Sequence, residues 1–265
     1  MHYFMITDSI KTVLQSYTSY TFISLTPRAN ASIKRALEFA KKRQYTTVHI
    51  PDEGGWMLYE PFARKLGFTV VKIPTQNGII DPNTLNLNSE SVLLLHSLAG
   101  YHSKQPCEQL RTVCDSQQAL FIEDMCGIVY QKGHGHILLG SFGKAKPINY
   151  GTGGFIATQD ASWFEELRFD TEIEDALLLE KVKHVKKRVQ HLFHIRDTCA
   201  KALKNEGFTP IYDEYGLVLI VEYATDAQKE QLKEIAQKHT IDIEYCPRYI
   251  RSLKKALSFE IKRKD

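Results

Sequence analysis

A chain of 265 residues with 43% hydrophobic and 25% charged residues has the make-up of an ordinary globular protein, which excludes collagen-like, disordered and coiled-coil readings. Its 34 Lys and Arg against 31 Asp and Glu leave a formal charge of +3, too slight to argue for a nucleic-acid-binding surface. The five cysteines (Cys107, Cys114, Cys126, Cys199, Cys246) are odd in number and form no C-x-x-C pair, so they read as reduced intracellular thiols rather than a disulfide framework or a zinc knuckle.

Residues 1–14 lack the basic, apolar, small-residue order of a secretory leader. From Asn30, Ile33, Leu37, Phe39 and Ala40 fall at helical spacing and end in Lys41-Lys42-Arg43-Gln44, which predicts an amphipathic helix. A β-branched strand over 46–50 stops at Pro51; a helix over 56–66 closes at Gly67; a strand over 68–73 follows. Next come a strand over 91–95, a helix over 107–114 and a strand over 119–122. The longest apolar run, 92–95, is broken by His96 and is far too short to cross a bilayer, so a cytoplasmic protein is expected. Helices alternating with continuously apolar strands predict an α/β fold with a mostly parallel sheet flanked by helices.

Past Phe142 the turn-rich Gly151-Thr152-Gly153-Gly154 feeds a strand over 155–158, and a heavily charged helical region runs from about 161 to 205. The expected organisation is a large α/β domain over 1–160 and a small α+β domain over 161–265. The latter would hold strands over 209–212, 217–222 and 241–245 and a helix over 226–239, ending in a solvated, fraying tail over 261–265.

In an open α/β sheet the ligand crevice lies at the carboxyl ends of the strands, so the polar residues that end apolar strands come first. Asp124 and His96 meet that test, although an acid there can equally cap a helix or bind backbone amides. Lys144 and Lys146 lie two apart and would point to one side of an extended segment, so periodicity does not choose between them. Trp56 reads as core or as a ring-stacking residue, and Asn30 as an N-cap, a phosphate contact or both. His184, His191 and His194, and the His134–His136 turn, read as solvated surface rather than a metal site. Met5, Met57 and Met125 need no role beyond packing.

Ser141-Phe142, a lysine five residues after that serine and Gly153-Gly154 seven residues after the lysine resemble the Schiff-base lysine region of fold-type I pyridoxal-phosphate enzymes. The likeness is greatest to the DegT/DnrJ/EryC1/StrS sugar aminotransferase family. Asn77-Gly78-Ile79-Ile80-Asp81-Pro82, Leu95-His96-Ser97-Leu98-Ala99-Gly100 and Phe121-Ile122-Glu123-Asp124 agree with that family in order, over about 28–160. The resemblance implies a fold-type I transferase with a smaller C-terminal α+β domain, acting as a homodimer. It implies an aminotransferase that moves an amino group from an amino acid such as glutamate to a keto or nucleotide-sugar acceptor, with no nucleic-acid or membrane partner.

Carried onto this sequence, the resemblance makes Lys146 the residue that forms the internal aldimine with pyridoxal 5'-phosphate and shuttles the proton. Asp124 would pair with the pyridine nitrogen and Trp56 would stack on the ring. Ser141, Ala29 and Asn30 would bind the phosphate at a helix start. The family's glutamine three residues after the aspartate is Gly127 here, its Gly-Thr at the phosphate-binding helix is Ala29-Asn30, and a stretch between the lysine region and the small domain is shortened. The shortened chain and the missing glutamine keep an inactive relative that binds or regulates in view, whereas another pyridoxal-phosphate reaction such as desulfuration or elimination is disfavoured, because no histidine adjoins Lys146 and no cysteine sits on an obvious mobile loop.

Overall fold

The apolar segments between the helices pair into one seven-stranded sheet in the computed structural model, which describes residues 4–212 and 214–264. In chain order the strands are β1 (Phe22–Thr26), β2 (Thr47–Pro51), β3 (Thr69–Ile73), β4 (Ser91–His96), a two-stranded ribbon of β5 (Leu98–Ala99) and β6 (Ser103–Lys104), then β7 (Leu120–Asp124), β8 (Ile137–Ser141) and β9 (Gly154–Thr158). Across the main sheet the order is β1-β9-β8-β7-β4-β2-β3. The five strands from β3 to β8 are parallel, and β9 runs antiparallel to both its neighbours.

Strand β4 shows why the sheet is parallel and doubly covered. Val92 and Leu94 join one apolar cluster with Ile33 and Leu37 of helix α2 (Ala29–Lys42) and Tyr59 of helix α3 (Tyr59–Lys65). Leu93 and Leu95 join another, on the opposite face, with Leu110 of helix α4 (Cys107–Ser116). A strand covered on both sides needs apolar residues at every position, and burying each leucine is worth about 2 kcal/mol.

Helix α1 (Phe4–Thr18) and the 30-residue α6 (Ala176–Asn205) close the rest of that opposite face. The charge of α6 hides a straight stripe: Leu178, Val182, Val185, Val189, Leu192, Arg196, Cys199 and Leu203 are buried at alternating steps of four and three, and the lysines point outward. The charged region over 161–205 is thus two helices, α5 (Ala161–Leu167) and α6, each N-capped by an aspartate, Asp160 and Asp175. Beyond α6, β10 (Leu219–Glu222), helix α7 (Asp226–Lys238), β11 (Ile243–Tyr245) and β12 (Ala256–Phe259) form a small unit with sheet order β10-β12-β11.

Several expectations are corrected. α1, β1, β8 and β12 carried no assignment from the sequence. Residues 209–212 form a loop, held to β10 by one bond from Ile211 N–H to Ile220 O of 2.8 Å. Trp56 precedes α3 rather than opening it, and Met57 is exposed; Met125 is core, and the side chain of Met5 lies outside the described residues. The end of the chain does not fray: β12 is the middle strand of the small sheet, Ile261 is fully buried, and Arg188 of α6 donates to Lys264 O at 2.8 Å. Asp265 lies outside the described residues. No helix among the described residues is long and apolar enough to cross a membrane.

Candidate active site

His96 and Asp124 are register partners at the carboxyl ends of β4 and β7. By strand alternation both fall on the α2 face, continuing the rows Val92, Leu94 and Leu120, Ile122. Asp124 is 3% exposed; its Oδ1 accepts the Cys126 N–H at 3.0 Å and its Oδ2 accepts the Tyr59 hydroxyl at 2.6 Å. Burial and the adjacent carboxylate push the Tyr59 pKa well up, so this phenol stays a donor. His96 Nδ1 accepts the Leu98 N–H at 3.1 Å. Burial lowers its pKa to about 4 against the opposing charge of Asp124, so the ring is neutral and its one proton sits on Nε2. That Nε2 is buried with no hydrogen-bond partner among the described residues. A Cβ on Gly127 would come within 2.9 Å of His96 Cε1, so the imidazole already fills the space that a side chain at 127 would need.

The segment between β8 and β9 is not extended: Ala145 and Asn149 turn it through positive φ of 56° and 49°, and Asn149 Oδ1 ties the turn by accepting the Ala145 N–H at 2.8 Å. This turn separates the two lysines. Lys144 is exposed, whereas Lys146 reaches inward, donates to the Tyr101 hydroxyl and stands 4.6 Å from the Tyr101 ring centroid and 5.7 Å from that of Trp56. Burial disfavours its charge, but Tyr101, Cys126 and Asp124 outweigh that and raise its pKa, so the resting lysine is an ammonium. Tyr101 itself has φ of 66°, an uncommon conformation for a bulky residue, and its carbonyl is fastened by the N–H groups of Leu217 at 2.7 Å and Val218 at 3.2 Å.

At the start of α2, Arg28 offers no side-chain cap, which leaves the first-turn N–H groups of Ala29 and Asn30 open to an anion. Trp56 Nε1 donates to Asn30 Oδ1 at 3.0 Å, so the Asn30 amide NH2 remains a donor. Ser141, at the end of β8, accepts the Gly143 N–H at 3.2 Å and keeps its own hydroxyl hydrogen. Gly153, with φ of 81°, packs between Phe142 and Ile173 and donates to Pro27 O at 3.1 Å, which brings the glycine turn against the entry to α2.

These groups share one cavity of about 570 Å³, which brings together Lys146, Asp124, Ser141, Trp56, Asn30, Ala29 and His96. The histidines of α6 stand apart from it on an exposed face. Sequence reasoning missed the other wall, where Arg248, Arg251 and Lys262 come from the C-terminal unit, and it missed Tyr59 and Tyr101. Behind the wall Glu260 is fully buried and takes Arg251 through two bonds of 2.9 and 2.8 Å, together with the Ser258 hydroxyl. Burial raises its pKa, but the bonds and charge of Arg251, with Lys262 and Ser258, prevail and hold it down to about 2. A depressed carboxyl contributes stability above its unfolded value and loses it as pH falls toward the folded one. We therefore expect the urea midpoint to hold between pH 7 and 5, then to drop between 4.5 and 2 by the equivalent of about 3 kcal/mol from this residue. Glu260→Gln should lower the midpoint at pH 7 and flatten the acid slope; an unchanged slope would remove Glu260 as its source.

No family model matches the sequence, and no curated protein matches it. Solved structures do. NtdA from Bacillus subtilis, crystallised with the cofactor PMP, superposes with a TM-score of 0.74 at 15% identity over 96% of this chain and 72% of its own. A DegT DnrJ EryC1 StrS aminotransferase from Brucella abortus gives 0.69 at 16% identity, covering 96% and 84%. The chain has the fold-type I transferase fold. Helicobacter pylori PseC, an aminotransferase involved in the biosynthesis of pseudoaminic acid, shares it with a TM-score of 0.71 at 13% identity over 98% of this chain and 85% of its own. At such identities the fold-type I frame is shared while the chemistry must be argued from this chain's own residues.

Proposed function

We propose that the cavity binds pyridoxal 5'-phosphate and that the protein is an aminotransferase, moving an amino group from an amino acid such as glutamate to a keto or keto-sugar acceptor. The observation that carries this reading is a half-buried lysine, Lys146, sharing one cavity with a buried carboxylate, Asp124, and with two groups that call for a ligand: the uncapped start of α2 and the Nε2–H of His96, which has no hydrogen-bond partner among the described residues. The donor set fits the cofactor, since the phosphate needs hydrogen-bond donors, the ring nitrogen an acidic partner and the aldehyde an amine. When bound, the cofactor supplies an electron sink for the carbon that gains or loses the amino group.

The chain's own residues then divide the work. Ala29, Asn30 and Ser141 would hold the phosphate, and Trp56, braced by Asn30, would stack on the ring. Asp124, held by Tyr59 and Cys126, would keep the ring nitrogen protonated. His96, whose Nε2–H is open at the cavity wall, would offer the cofactor a hydrogen-bond donor. Lys146 must lose a proton before it can act as a nucleophile, and the Tyr101 hydroxyl on its Nζ positions it for that transfer. Fold-type I sites are completed across a two-fold interface, so we assign the active form as a homodimer in the cytoplasm, with 1–160 forming the cofactor domain and 161–265 the smaller one.

The test is the visible spectrum of the protein with and without pyridoxal phosphate, followed by borohydride reduction and peptide mapping. The expected result is a lysine-linked cofactor on the peptide holding Lys146. A folded protein that develops no such band, or one labelled on Lys144, overturns the assignment. Incubation with glutamate should release 2-oxoglutarate; alanine and sulfide from cysteine would instead mark a desulfurase.

A further inference from the structure

The segment over 248–253, between β11 and β12, is folded on itself: Arg248 N–H donates to Ser252 O at 2.6 Å and Arg251 N–H to Arg248 O at 2.9 Å. It brings Arg248, Ile250 and Arg251 to the cavity. Its fastenings reach two places far away in the chain. In the loop after β2, Pro51 O accepts the Tyr249 hydroxyl at 3.0 Å, Gly54 N–H donates to Tyr249 O at 2.8 Å, and Glu53 Oε2 accepts the Leu253 N–H at 2.6 Å. In the β5–β6 ribbon, His102 Nε2 donates to Arg251 O at 3.1 Å. The loop and the ribbon are themselves joined, since Gly100 N–H donates to Gly54 O at 2.8 Å. Both glycines have positive φ, of 81° and 56°; a Cβ on Gly54 would come within 2.9 Å of Ala99 Cβ, and one on Gly100 within 2.7 Å of Arg251 O. Three segments therefore meet backbone to backbone, and Glu53 is the side chain that ties the first to the third. It is 7% exposed, and a carboxylate makes a stronger acceptor than a carbonyl does. Three residues on, Trp56 lines the cavity and donates to Asn30 Oδ1 at the start of α2.

We propose that Glu53 is a positioning residue of the cavity: its carboxylate clamps the 248–253 turn to the loop that carries Trp56, so that the wall supplied by the C-terminal unit and the wall made by Trp56 and Asn30 are set together. Glu53 does not line the cavity, so it acts through the residues that it holds. The path is short and made of bonds on the page, from Leu253 N–H to Glu53, along the loop to Trp56, and from the indole to Asn30. Tyr249 stiffens that path from the side, because a Cβ on Gly55 would sit 3.0 Å from its hydroxyl. Coupling of this kind is reciprocal: a ligand that fixes Trp56 and Asn30 tightens the turn, and a loosened turn weakens the hold on that ligand. That the ligand is pyridoxal phosphate rests on the reading of this cavity as the cofactor site, whereas the clamp itself does not.

The experiment is hydrogen exchange by NMR on the isotope-labelled protein, joined to a titration with pyridoxal phosphate followed in the visible band. With two tryptophans in the chain, the Trp56 indole N–H is read against that of Trp163. Glu53→Ala should speed exchange of the Leu253 amide and of the Trp56 indole by about tenfold or more, leave the Trp163 indole unchanged, and weaken cofactor binding by about 5- to 50-fold. Glu53→Gln keeps an acceptor for Leu253 and should restore most of each effect. Added cofactor should slow exchange at Leu253 in wild type and far less in Glu53→Ala. Faster exchange at Leu253 with an unchanged Trp56 indole overturns the proposal, because the bond is then local to the turn. Equal cofactor affinity in wild type and Glu53→Ala, both forming the band, overturns it as well. A wild type that forms no band fails the cofactor reading separately, and the two exchange rates in the protein as purified still decide the clamp. Should Glu53→Ala not fold, Tyr249→Phe, which removes the bond to Pro51 O, decides it: the Trp56 indole must exchange faster than in wild type, and an unchanged rate overturns the clamp.

Discussion

Replacing Lys146 by alanine is expected to abolish the lysine-linked cofactor band and to lower amino-transfer by on the order of 10⁴-fold, while the thermal midpoint stays within a few degrees of wild type. The loss is large because one amine does two jobs, holding the cofactor and carrying a proton, and no other side chain stands where it could do both. Lys262 is turned toward Glu260, and Lys144 is exposed. The fold should survive because the lysine side chain lies in the cavity rather than in the core, and its turn is held without it. Asn149 accepts from Ala145 N–H, and Tyr150 and Gly151 N–H both donate to Phe142 O at 2.8 Å. Removing a half-buried ammonium that shares the Tyr101 ring with Arg251 and Lys262 also relieves like-charge repulsion, which offsets the lost hydrogen bond to Tyr101. Lys144→Ala, as the control, should change neither spectrum nor rate. A free primary amine in the buffer should recover part of the proton transfer in Lys146→Ala but not the band after borohydride reduction. A variant that keeps the band has its cofactor on a different lysine.

What was legible in the sequence was what strand periodicity and position expose. His96 and Asp124 end continuously apolar strands, and parallel register then places them side by side. The choice between Lys144 and Lys146 was not legible from periodicity, because it is made by the positive φ of Ala145, which no alternation rule anticipates. Tyr59 and Tyr101 were invisible for a different reason: their roles depend on contacts with residues 65 and 45 positions away, set by how α3 and the ribbon pack. The end of the chain was misread outright. Residues 261–265 look like a solvated tail, yet Ile261 and Lys262 are buried, directly after Ala256, Leu257 and Phe259 in the middle strand of a sheet. Their polar neighbour Glu260 is buried because Arg251 and the Ser258 hydroxyl both donate to it. A buried ion pair between residues nine apart leaves no mark in composition. The same holds for β1, a short strand whose only partner, β9, lies more than a hundred residues along the chain.

Asp124→Asn should cost on the order of 10³-fold in rate and leave the protein folded but less stable by about 1 to 3 kcal/mol. Both oxygens of the native carboxylate accept, one from Tyr59 and one from the Cys126 N–H. An asparagine supplies one oxygen and one NH2, so it can accept the Cys126 N–H only by turning its NH2 to Tyr59, whose hydroxyl must then give up donating and accept instead. Its neutrality matters more for the chemistry. A protonated ring nitrogen beside a carboxylate is an ion pair, whereas beside an amide it loses its proton at neutral pH and with it the capacity to draw electrons from the reacting carbon. Two readouts separate these effects. Tyr59→Phe removes one donor and keeps the charge, so its rate should fall by only about tenfold while its stability changes much as that of Asp124→Asn does. The charge of Asp124 also raises the pKa of His96 against burial, so Asp124→Asn should push the His96 titration still lower, a shift visible by NMR in the protein without cofactor. If Asp124→Asn and Tyr59→Phe lose the same rate, the carboxylate acts through its hydrogen bonds alone. In that case the ring nitrogen does not depend on its charge.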